Sequence, residues 1–354
     1  MRILDVYIAK NIASTTAFCL LILVGLSSML KFVEQLKSVG QGDYSMLEAA
    51  TFVLLMIPRD IELFFPMAAL LGSLIGLGTM AQSSELVVMQ AAGISRLQII
   101  ISVMKTAIPL MLLVMALGEW GAPAAEQKAV NMRTQEISGG SLIKSKNGLW
   151  AKDGNRFVHV GKVIETGLLT DISFYQFNDH NNLSLITEAK VARYQGDAWL
   201  LEDVKQTYLL ADKSTTTNVD SLKWISTLTP DKLGVVSIKP EALSIAGLFD
   251  YLEYLKVNKQ DTSRYDLALW RKIFQPLTVG VMMLLALSFV FGPLRSVSMG
   301  ARLVMGIITG FIFHLTNQAF GPISLVYNIP PIVGAILPNL LFLGAAGFFL
   351  NKRT

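Results

Sequence analysis

The sequence predicts a membrane α-helical bundle of six transmembrane helices, with an all-β domain inserted between the third and the fourth. Two observations support this prediction: six long stretches almost without charge, and a central segment of ordinary charge content. Charged residues make up 16% of the 354 residues. They form about a quarter of residues 124–272, as in soluble domains, but only about 9% of the remainder. This imbalance excludes a soluble globule and a disordered chain, and the single cysteine excludes a disulfide scaffold.

Each predicted span is long enough for the bilayer core, which takes about 20 apolar residues. The first is longer than the apolar core of a cleaved signal peptide, so it is predicted to stay as a helix. The last apolar stretch is too long for one helix and is predicted to break at Gly321-Pro322 and at Pro330-Pro331. The six predicted spans are Ile12–Leu30, Leu63–Ala81, Leu97–Gly118, Ile273–Leu294, Leu303–Phe320 and Ile332–Leu350.

Basic residues predict the orientation, because the inner segments of membrane proteins are enriched in Lys and Arg. An even number of spans places both termini on the same side. The segments on that side carry the basic residues Arg2, Lys10, Arg96, Arg295, Arg302, Lys352 and Arg353. The short turn 324–330 on the opposite side carries none. Both termini are therefore predicted to lie inside, and the insert outside.

The insert is predicted to be β-structured. Short runs rich in β-branched and aromatic residues, such as Phe157–Val160 and Ile172–Phe177, indicate strands. Asp153-Gly154 and Gly196-Asp197 are typical of turns between them. Several short strands in a row favour a sandwich or a jelly roll. Polar and apolar residues alternate imperfectly, so both a packed core and an open, apolar-lined interior are compatible with the pattern.

A helix is predicted after the strands, because Ser244 is a suitable N-cap and Leu248, Leu252 and Leu255 share one helical face. Its end is predicted near Val257. The next helix is predicted to begin at Asp261 or Thr262 and to lead into the fourth span.

Several classes of function are disfavoured. The nearest match to a nucleotide-binding P-loop, residues 140–145, lacks the glycine before its lysine. No Cys/His cluster has metal-ligand spacing, and a net charge of +4 without a basic stripe does not indicate nucleic-acid binding. Asp60 and Glu62 lie at the outer end of the second span rather than at mid-membrane, which argues against an ion-coupled carrier. His314 lies midway in the fifth span, beside Asn317 and Gln318. It is either a functional group or a donor or acceptor in a hydrogen bond to a neighbouring helix, and the second alternative is favoured.

The segment between the second and third spans, Gln82–Gln98, is too apolar for a free loop and too short to span. A serine cap, the acidic Glu85 and a terminal Gly93 predict a short helix. It is either an interfacial helix or a coupling helix that docks on a cytoplasmic ATPase. In the second case Glu85, Leu86 and Met89 are the candidate contacts, with Glu85 facing a basic residue of the ATPase.

Basic residues cluster at the predicted outer ends of the helices: Lys31, Lys37, Arg59, Lys128 and Arg133. Each could simply extend its cationic end towards the headgroups. As a set they would surround the mouth of the bundle and suit a multi-acyl lipid with phosphates on its head group. Lys31, Lys37, Arg59 and Arg133 are the candidate head-group ligands.

Small residues in two spans predict close helix contacts. Gly72 and Gly76 are one turn apart, as are Gly306 and Gly310. Such pairs let two backbones approach each other closely.

Seven segments resemble one protein family: Ser84–Gly93, Lys105–Leu110, Gly118–Trp120, Gly148–Gly154, Leu228–Gly234, Phe274–Leu277 and Phe291–Ser296. They are similar to the LptF/LptG permeases of the lipopolysaccharide exporter, and the similarity extends over nearly the whole chain.

The resemblance implies a heterodimer of two six-span permeases, LptF and LptG, on a cytoplasmic ATPase dimer, LptB, with a single-span subunit, LptC, beside the first span. It implies a Gram-negative inner membrane, cytoplasmic termini and a periplasmic jelly roll. The implied domains are residues 1–124 (three spans and the coupling helix, about residues 83–93), 125–242 (the jelly roll) and 243–354 (a linker helix and three spans). The first and fifth spans correspond to gates facing the partner permease, and Lys31, Lys37, Arg59 and Arg133 to basic positions at the cavity rim.

The implied function is extraction of lipopolysaccharide from the outer leaflet of the inner membrane and its transfer to a periplasmic bridge. The chain itself is expected to be non-catalytic and to bind no cofactor, with ATP and Mg²⁺ held by the ATPase. Two other functions are considered: a membrane-anchored scaffold or sensor for a β-domain, and an ion-coupled carrier that works alone.

Overall fold

A computed structural model of the chain describes residues 3–138, 148–165, 167–178, 182–210, 213–226, 228–230, 239–291 and 297–351. Several positions used in the sequence analysis lie outside these ranges: residues 140–145 and 231–236, and Arg2, His180, Arg295, Lys352 and Arg353.

The helices of the first part of the chain are α1 (Ile3–Leu36), α2 (Met46–Gln82), α3 (Glu85–Ala91), α4 (Arg96–Ala116) and α5 (Ala122–Ser138), with a π-helical turn at Leu117–Gly121 between α4 and α5. After the insert come a 3₁₀ turn (Pro240–Ala242), α6 (Ile245–Val257), α7 (Ser263–Phe291), α8 (Met299–Val326) and α9 (Pro331–Asn351). The strands are β1 (Leu149–Asp153), β2 (Arg156–Glu165), β3 (Leu168–Phe177), β4 (Leu183–Tyr194), β5 (Trp199–Leu209) and β6 (Ser214–Trp224).

Six helices of the described chain are long and apolar enough to cross a membrane, which confirms the predicted number. They are α1, α2, the continuous α4–α5, α7, α8 and α9. The break predicted at Gly321-Pro322 is wrong, because α8 continues through Pro322 to Val326. A proline removes only one backbone donor, and the rest of the helix keeps its internal hydrogen bonds, which an apolar surrounding strongly favours.

The chain divides into two compact units. We call residues 1–33, 53–126 and 263–354 the membrane unit, and residues 34–52 and 127–262 the insert unit.

The membrane unit is organised around α2 and α7. Two thirds of the most apolar window of each are buried, at 67%, against 17% in α1 and in α8. Leu70 and Leu74 from α2, Val103 from α4 and Met282 and Met283 from α7 belong to one buried cluster. These apolar side chains stabilise the membrane unit by close packing rather than by directional bonds. The weakly buried α1 and α8 therefore present most of their apolar surface outward.

α1 and α2 make the close contact that the small residues predicted. A Cβ at Gly72 would meet the backbone of Thr16, and one at Gly76 would lie 3.0 Å from the Thr15 hydroxyl oxygen. The Thr15 hydroxyl donates a hydrogen bond to the Gly72 carbonyl (2.7 Å), and the Asn11 amide donates one to the Gly76 carbonyl (3.0 Å). Glycine thus exposes backbone oxygens to polar side chains of the neighbouring helix.

The insert unit contains an antiparallel sheet of six strands in the order β1 to β6. The inserted β domain is thereby confirmed, and its described strands form one open meander. One face of the sheet has a small cleft of mixed lining: the apolar residues are Phe174, Leu185, Leu201, Leu222 and Trp224, and the polar or charged ones are Arg156, Gln176, Thr187, Gln206 and Lys223. Phe174 and Trp224 are at most 3% exposed, and their ring centroids lie 4.7 Å apart, so these large side chains pack against each other on this face.

Side-chain hydrogen bonds, one of them from α6, connect the sheet to the segments that follow it. Trp199 is fully buried, and its indole N–H donates to the Leu228 carbonyl at 2.7 Å. Ser244 caps α6 as predicted, accepting a hydrogen bond from the Gly247 amide. The Tyr254 hydroxyl of α6 donates to the Lys152 carbonyl of β1 at 2.7 Å. Burial raises the pKa of Tyr254 to about 12, so this hydroxyl keeps its proton over the whole physiological range.

The Gly72→Ala substitution tests the helix contact. We expect a loss of about 1–3 kcal/mol of stability, because the added methyl group forces α1 away from α2. The thermal midpoint of the purified protein in detergent measures this effect. Gly344→Ala in α9 is the matched control, since a Cβ there meets no atom within 4 Å. Equal midpoints for both variants would contradict the contact.

Candidate functional site

Charged side chains from four helices of the membrane unit form a network that we call the buried charge network. Its members are Lys31, Arg59, Asp60, Glu62, Glu126 and Lys272. Asp60 and Glu62 are each only 1% exposed, a state that carboxylates rarely adopt unless they are paired. A buried carboxylate requires a close cation or hydrogen-bond donors, because burial removes its hydration.

Lys31 and Asp60 form the first pair of the network. Lys31 Nζ lies 2.5 Å from Asp60 Oδ1, and the Ser27 hydroxyl donates to Asp60 Oδ2 at 3.2 Å. The side chain of Lys31 is 27% exposed whereas that of Asp60 is buried. The carboxylate is therefore covered by the protein, whereas part of the Lys31 side chain remains exposed.

Arg59 forms the second group with two carboxylates. Its Nη1 lies 2.7 Å from Glu62 Oε2, and its Nε lies 3.5 Å from Glu126 Oε2. Its side chain is 21% exposed, whereas that of Glu62 is 1% exposed. Two of the four predicted head-group ligands, Lys31 and Arg59, are thus brought into one region, each already paired with a carboxylate.

Lys272 of α7 connects the network to the π-helical turn. Its ammonium group donates to the Gly118 carbonyl at 2.7 Å. A π-helical turn displaces carbonyl groups from the regular α-helical pattern, and such turns are frequent at functional sites. A Cβ at Gly118 would lie 2.8 Å from Glu62 Oε1, so glycine makes room for the buried carboxylate. Gln275 of α7 also donates to the Glu62 backbone carbonyl, at 3.1 Å.

The other two predicted ligands, Lys37 and Arg133, belong to the insert unit. Arg133 donates to the Ser38 hydroxyl at 3.1 Å, and its guanidinium carbon lies 5.9 Å from the centre of the Phe52 ring. Tyr44 is buried beside it, and burial raises the pKa of this phenol, opposed by the charge of Arg133. Lys37 and also Lys128 are exposed.

The short helix α3 confirms the predicted element between the second and third spans, with two differences. Ser84 lies in the left-handed region (φ 61°) and its side chain makes no capping hydrogen bond. The Ser95 and Gln98 side chains form a capping box at the start of α4 instead. Gly93 ends the segment as predicted, with a positive φ of 89° that glycine adopts readily.

The apolar side chains of α3 differ in how far they are available to a partner. Leu86 is 4% exposed and belongs to the buried cluster of the membrane unit, and Met89 packs against that cluster. The exposed apolar residues are Val87 at 56% and Val88 at 65%, which sequence reasoning did not single out. The helical spacing of residues 86 and 89 indicates one shared face, but the pattern alone does not tell which face is covered by the same chain.

The carboxylate of Glu85 is held by its own chain. Tyr7 of α1 donates its hydroxyl to Glu85 Oε2 and Ser83 donates to Oε1, both at 2.9 Å. This geometry fixes the rotamer of Glu85 and connects α3 to the first span.

The outward faces of α1 and α8 are apolar. They expose the large side chains of Leu21, Leu26, Met29, Phe311, Ile312 and Leu315. His314 on α8 hydrogen-bonds Gln318 of the same helix at 3.0 Å. Its described bond is therefore intrahelical, one turn apart, rather than to a neighbouring helix.

The Lys272→Met substitution tests whether the charge network supports the bundle. We expect a loss of about 3–5 kcal/mol, because it leaves buried carboxylates with less compensation. The thermal midpoint of the purified protein reports this loss. Lys190→Met is the matched control, since the ion pair of Lys190 with Asp203 on the sheet is exposed. Similar shifts for both variants would contradict a structural role for the buried cation.

Residues 6–352 match the family of lipopolysaccharide export system permeases LptF/LptG. The chain is 53% identical over 355 residues to the lipopolysaccharide export system permease protein LptG of Escherichia coli K12, with 99% of each chain covered. The protein of the same name from E. coli O6:H1 gives the same values. That of Haemophilus influenzae is 51% identical over 352 residues, covering 99% of this chain and 98% of the relative.

These relatives confirm the resemblance that the seven sequence segments indicated. The similarity includes all six spans and the inserted sheet, so the chain belongs to the LptF/LptG family of lipopolysaccharide export system permeases.

Proposed function

We propose that this permease of lipopolysaccharide export extracts the lipid from the outer leaflet of the inner membrane and passes it to a periplasmic bridge that leads to the outer membrane. The exposed faces of Lys31 and Arg59 support this route most directly, because they present positive charge beside apolar helix surfaces. Lipopolysaccharide combines phosphates on its head group with several acyl chains. Charge-assisted hydrogen bonds suit the phosphates, and apolar walls suit the chains.

In this proposal Lys31, Lys37, Arg59 and Arg133 are the head-group ligands. Lys31 and Arg59 act in the membrane unit, and Lys37 and Arg133 act in the insert unit. The guanidinium groups provide planar forks of donors, which match phosphate oxygens. The exposed apolar side chains of α1, among them Leu26 and Met29, contribute to the wall for the acyl chains.

The sister permease LptF is the proposed partner of the outward faces of α1 and α8. Only 17% of the most apolar window of each is buried within the chain. A single-span subunit, LptC, is proposed beside α1. Association with LptF along α1 and α8 would place a lateral entrance for the lipid at this interface, because this chain leaves the outward faces of both helices accessible.

The energy is proposed to come from a cytoplasmic ATPase dimer, LptB, which holds ATP and Mg²⁺, while this chain contributes no catalysis and no cofactor. The proposed docking element is α3. Glu85 is its charged contact, Val87 and Val88 are its exposed apolar contacts, and Leu86 and Met89 anchor it in the bundle. This assignment requires α3 and both termini on the cytoplasmic side of a Gram-negative inner membrane, with the β domain in the periplasm.

The head-group site is tested by the double substitution Lys31→Gln and Arg59→Gln. We expect crosslinking to a photoreactive lipopolysaccharide to fall about tenfold, because two charge-assisted contacts to phosphate are lost. Lys205→Gln on the sheet is the matched control, since it removes an exposed cation of an ion pair with Glu188. If crosslinking and export of the double variant stay at the level of the control, Lys31 and Arg59 extend towards the headgroups without binding the lipid.

The docking role of α3 is tested by Glu85→Ala. We expect association with the ATPase to weaken roughly tenfold, since a hydrogen bond to a charged group is removed. Co-purification and ATP-dependent lipid release in proteoliposomes are the measurements. Tyr7→Phe is the matched control, because it removes the internal hydrogen bond of Glu85 and keeps its carboxylate.

Unchanged association of the Glu85→Ala variant would refute the contact. Lipid release by the chain without ATPase and sister permease would instead favour an ion-coupled carrier. Absence of any ATP-dependent function in the complete complex would favour a scaffold.

The orientation is tested by Asn155→Cys in a Cys19→Ala background. Asn155 lies in the exposed turn between β1 and β2, whereas the natural thiol of Cys19 is buried. We expect an impermeant thiol reagent to label residue 155 from the periplasm of intact cells whose outer membrane has been permeabilised. Labelling only after lysis of the inner membrane would place the β domain in the cytoplasm.

A further inference from the structure

We propose that Asp60 and Glu62 are positioning residues of the lipid site: they hold Lys31 and Arg59 ready for head-group phosphates and keep the bound phosphates exchangeable. This inference rests on the proposed function, in which Lys31 and Arg59 bind the phosphates. It adds the carboxylates as the groups that set how firmly the lipid is held.

The arrangement of the Lys31–Asp60 pair supports the positioning role. Asp60 is buried and accepts hydrogen bonds from two sides, from the Lys31 ammonium group at 2.5 Å and from the Ser27 hydroxyl at 3.2 Å. Ser27 and Lys31 are four residues apart on α1, so Asp60 contacts two successive turns of the same helix. The carboxylate thus fixes a long, flexible side chain whose far side remains accessible.

Arg59 shows the same arrangement with two acceptors. Glu62 and Glu126 occupy its Nη1 and Nε atoms at 2.7 and 3.5 Å. A guanidinium group has five N–H donors, more than these two contacts require. A phosphate can therefore bind the outer part of Arg59 while the carboxylates keep the inner part in place.

Charge balance explains why the bound phosphate remains exchangeable. The network contains three cations, Lys31, Arg59 and Lys272, and three carboxylates, Asp60, Glu62 and Glu126. Glu119 of the π-helical turn adds a fourth carboxylate that acts on Lys272, so negative charge is not in deficit. A phosphate that contacts Lys31 or Arg59 also experiences repulsion from carboxylates only one side chain away. This repulsion is strong where little water screens it. Cations without such partners would bind phosphate more tightly and release it more slowly.

Transport requires this compromise. A site on a transport path must bind its cargo well enough to admit it and weakly enough to release it. The carboxylates weaken the retention of the lipid and leave in place the cations that attract it. The sequence offers this solution on one helical turn, where Arg59, Asp60 and Glu62 stand together.

The test measures lipid dissociation from the complete transporter in nanodiscs. Fluorescent lipopolysaccharide is bound and then displaced by an excess of unlabelled lipid, without ATP. We expect Asp60→Asn and Glu62→Gln each to slow dissociation about tenfold, because each removes a carboxylate that repels the bound phosphate, and such changes in affinity act mainly on the dissociation rate. ATP-driven release should slow in parallel. Asp60→Glu, which keeps the carboxylate, should dissociate faster than Asp60→Asn.

A dephosphorylated lipopolysaccharide separates electrostatic control from general damage. The variants should not slow its dissociation, since it lacks the anion that the carboxylates repel. Equal slowing of both lipids would overturn the inference and indicate a merely structural effect. Asp203→Asn on the sheet is the matched control for loss of a carboxylate from an exposed pair. If Asp60→Asn does not assemble, Glu62→Gln provides the same measurement at Arg59.

The inference and the proposed function fail in different ways. If Lys31→Gln and Arg59→Gln leave binding of the phosphorylated lipid unchanged, the proposed head-group site is wrong. If those variants weaken binding but Asp60→Asn and Glu62→Gln dissociate at the wild-type rate, the head-group site stands and the role of the carboxylates is overturned.

Discussion

Polar groups inside a membrane protein must find partners within the protein, and this constraint explains most of the structure. Asp60 and Glu62 are buried, so Lys31 and the Ser27 hydroxyl of α1 lie against Asp60, and Arg59 of α2 itself lies against Glu62. The same requirement acts on the backbone. The π-helical turn displaces the Gly118 carbonyl, and Lys272 of another helix donates to it. One set of charges therefore joins α1, α2, α5 and α7 into a single unit.

Glycine helps to satisfy this constraint by leaving space for polar groups of other residues. At Gly72 and Gly76 the missing side chains let hydroxyl and amide groups of α1 reach backbone carbonyls of α2. At Gly118 the missing side chain leaves space for the Glu62 carboxylate. Close helix contact and buried charge thus depend on the same residue type at different positions of the sequence.

The sequence predicted those features that depend on composition along the chain. Long uncharged stretches predicted six spans, and runs of β-branched and aromatic residues predicted the inserted strands. Ser244 and Gly93 marked helix boundaries correctly, because capping depends on residues within one turn. The helix break predicted at Gly321-Pro322 was wrong, because a proline in an apolar helix is tolerated when the other backbone groups stay paired.

The candidate sites were only half predictable. Lys31 and Arg59 were selected as isolated cations. Glu62 lies one turn from Arg59 on the same helix and is a local partner. Asp60 for Lys31 and Glu126 for Arg59 come from other helices, which no local pattern reveals. Lys272 was missed because its acceptor lies 154 positions away, at Gly118. Leu86 was predicted to face a partner and is instead covered by the bundle, since helical periodicity identifies a face without identifying what covers it.

The order of the strands has a consequence for biogenesis. Each of the six described strands pairs with its neighbour in the chain, so the backbone pairing among these strands needs no later segment. The bundle differs, because the buried surface of α4 awaits α7, which is synthesised only after the whole insert. Local pairing forms fast compared with distant contacts. The six described strands can therefore pair while the first three spans still lack the later helices that will cover them.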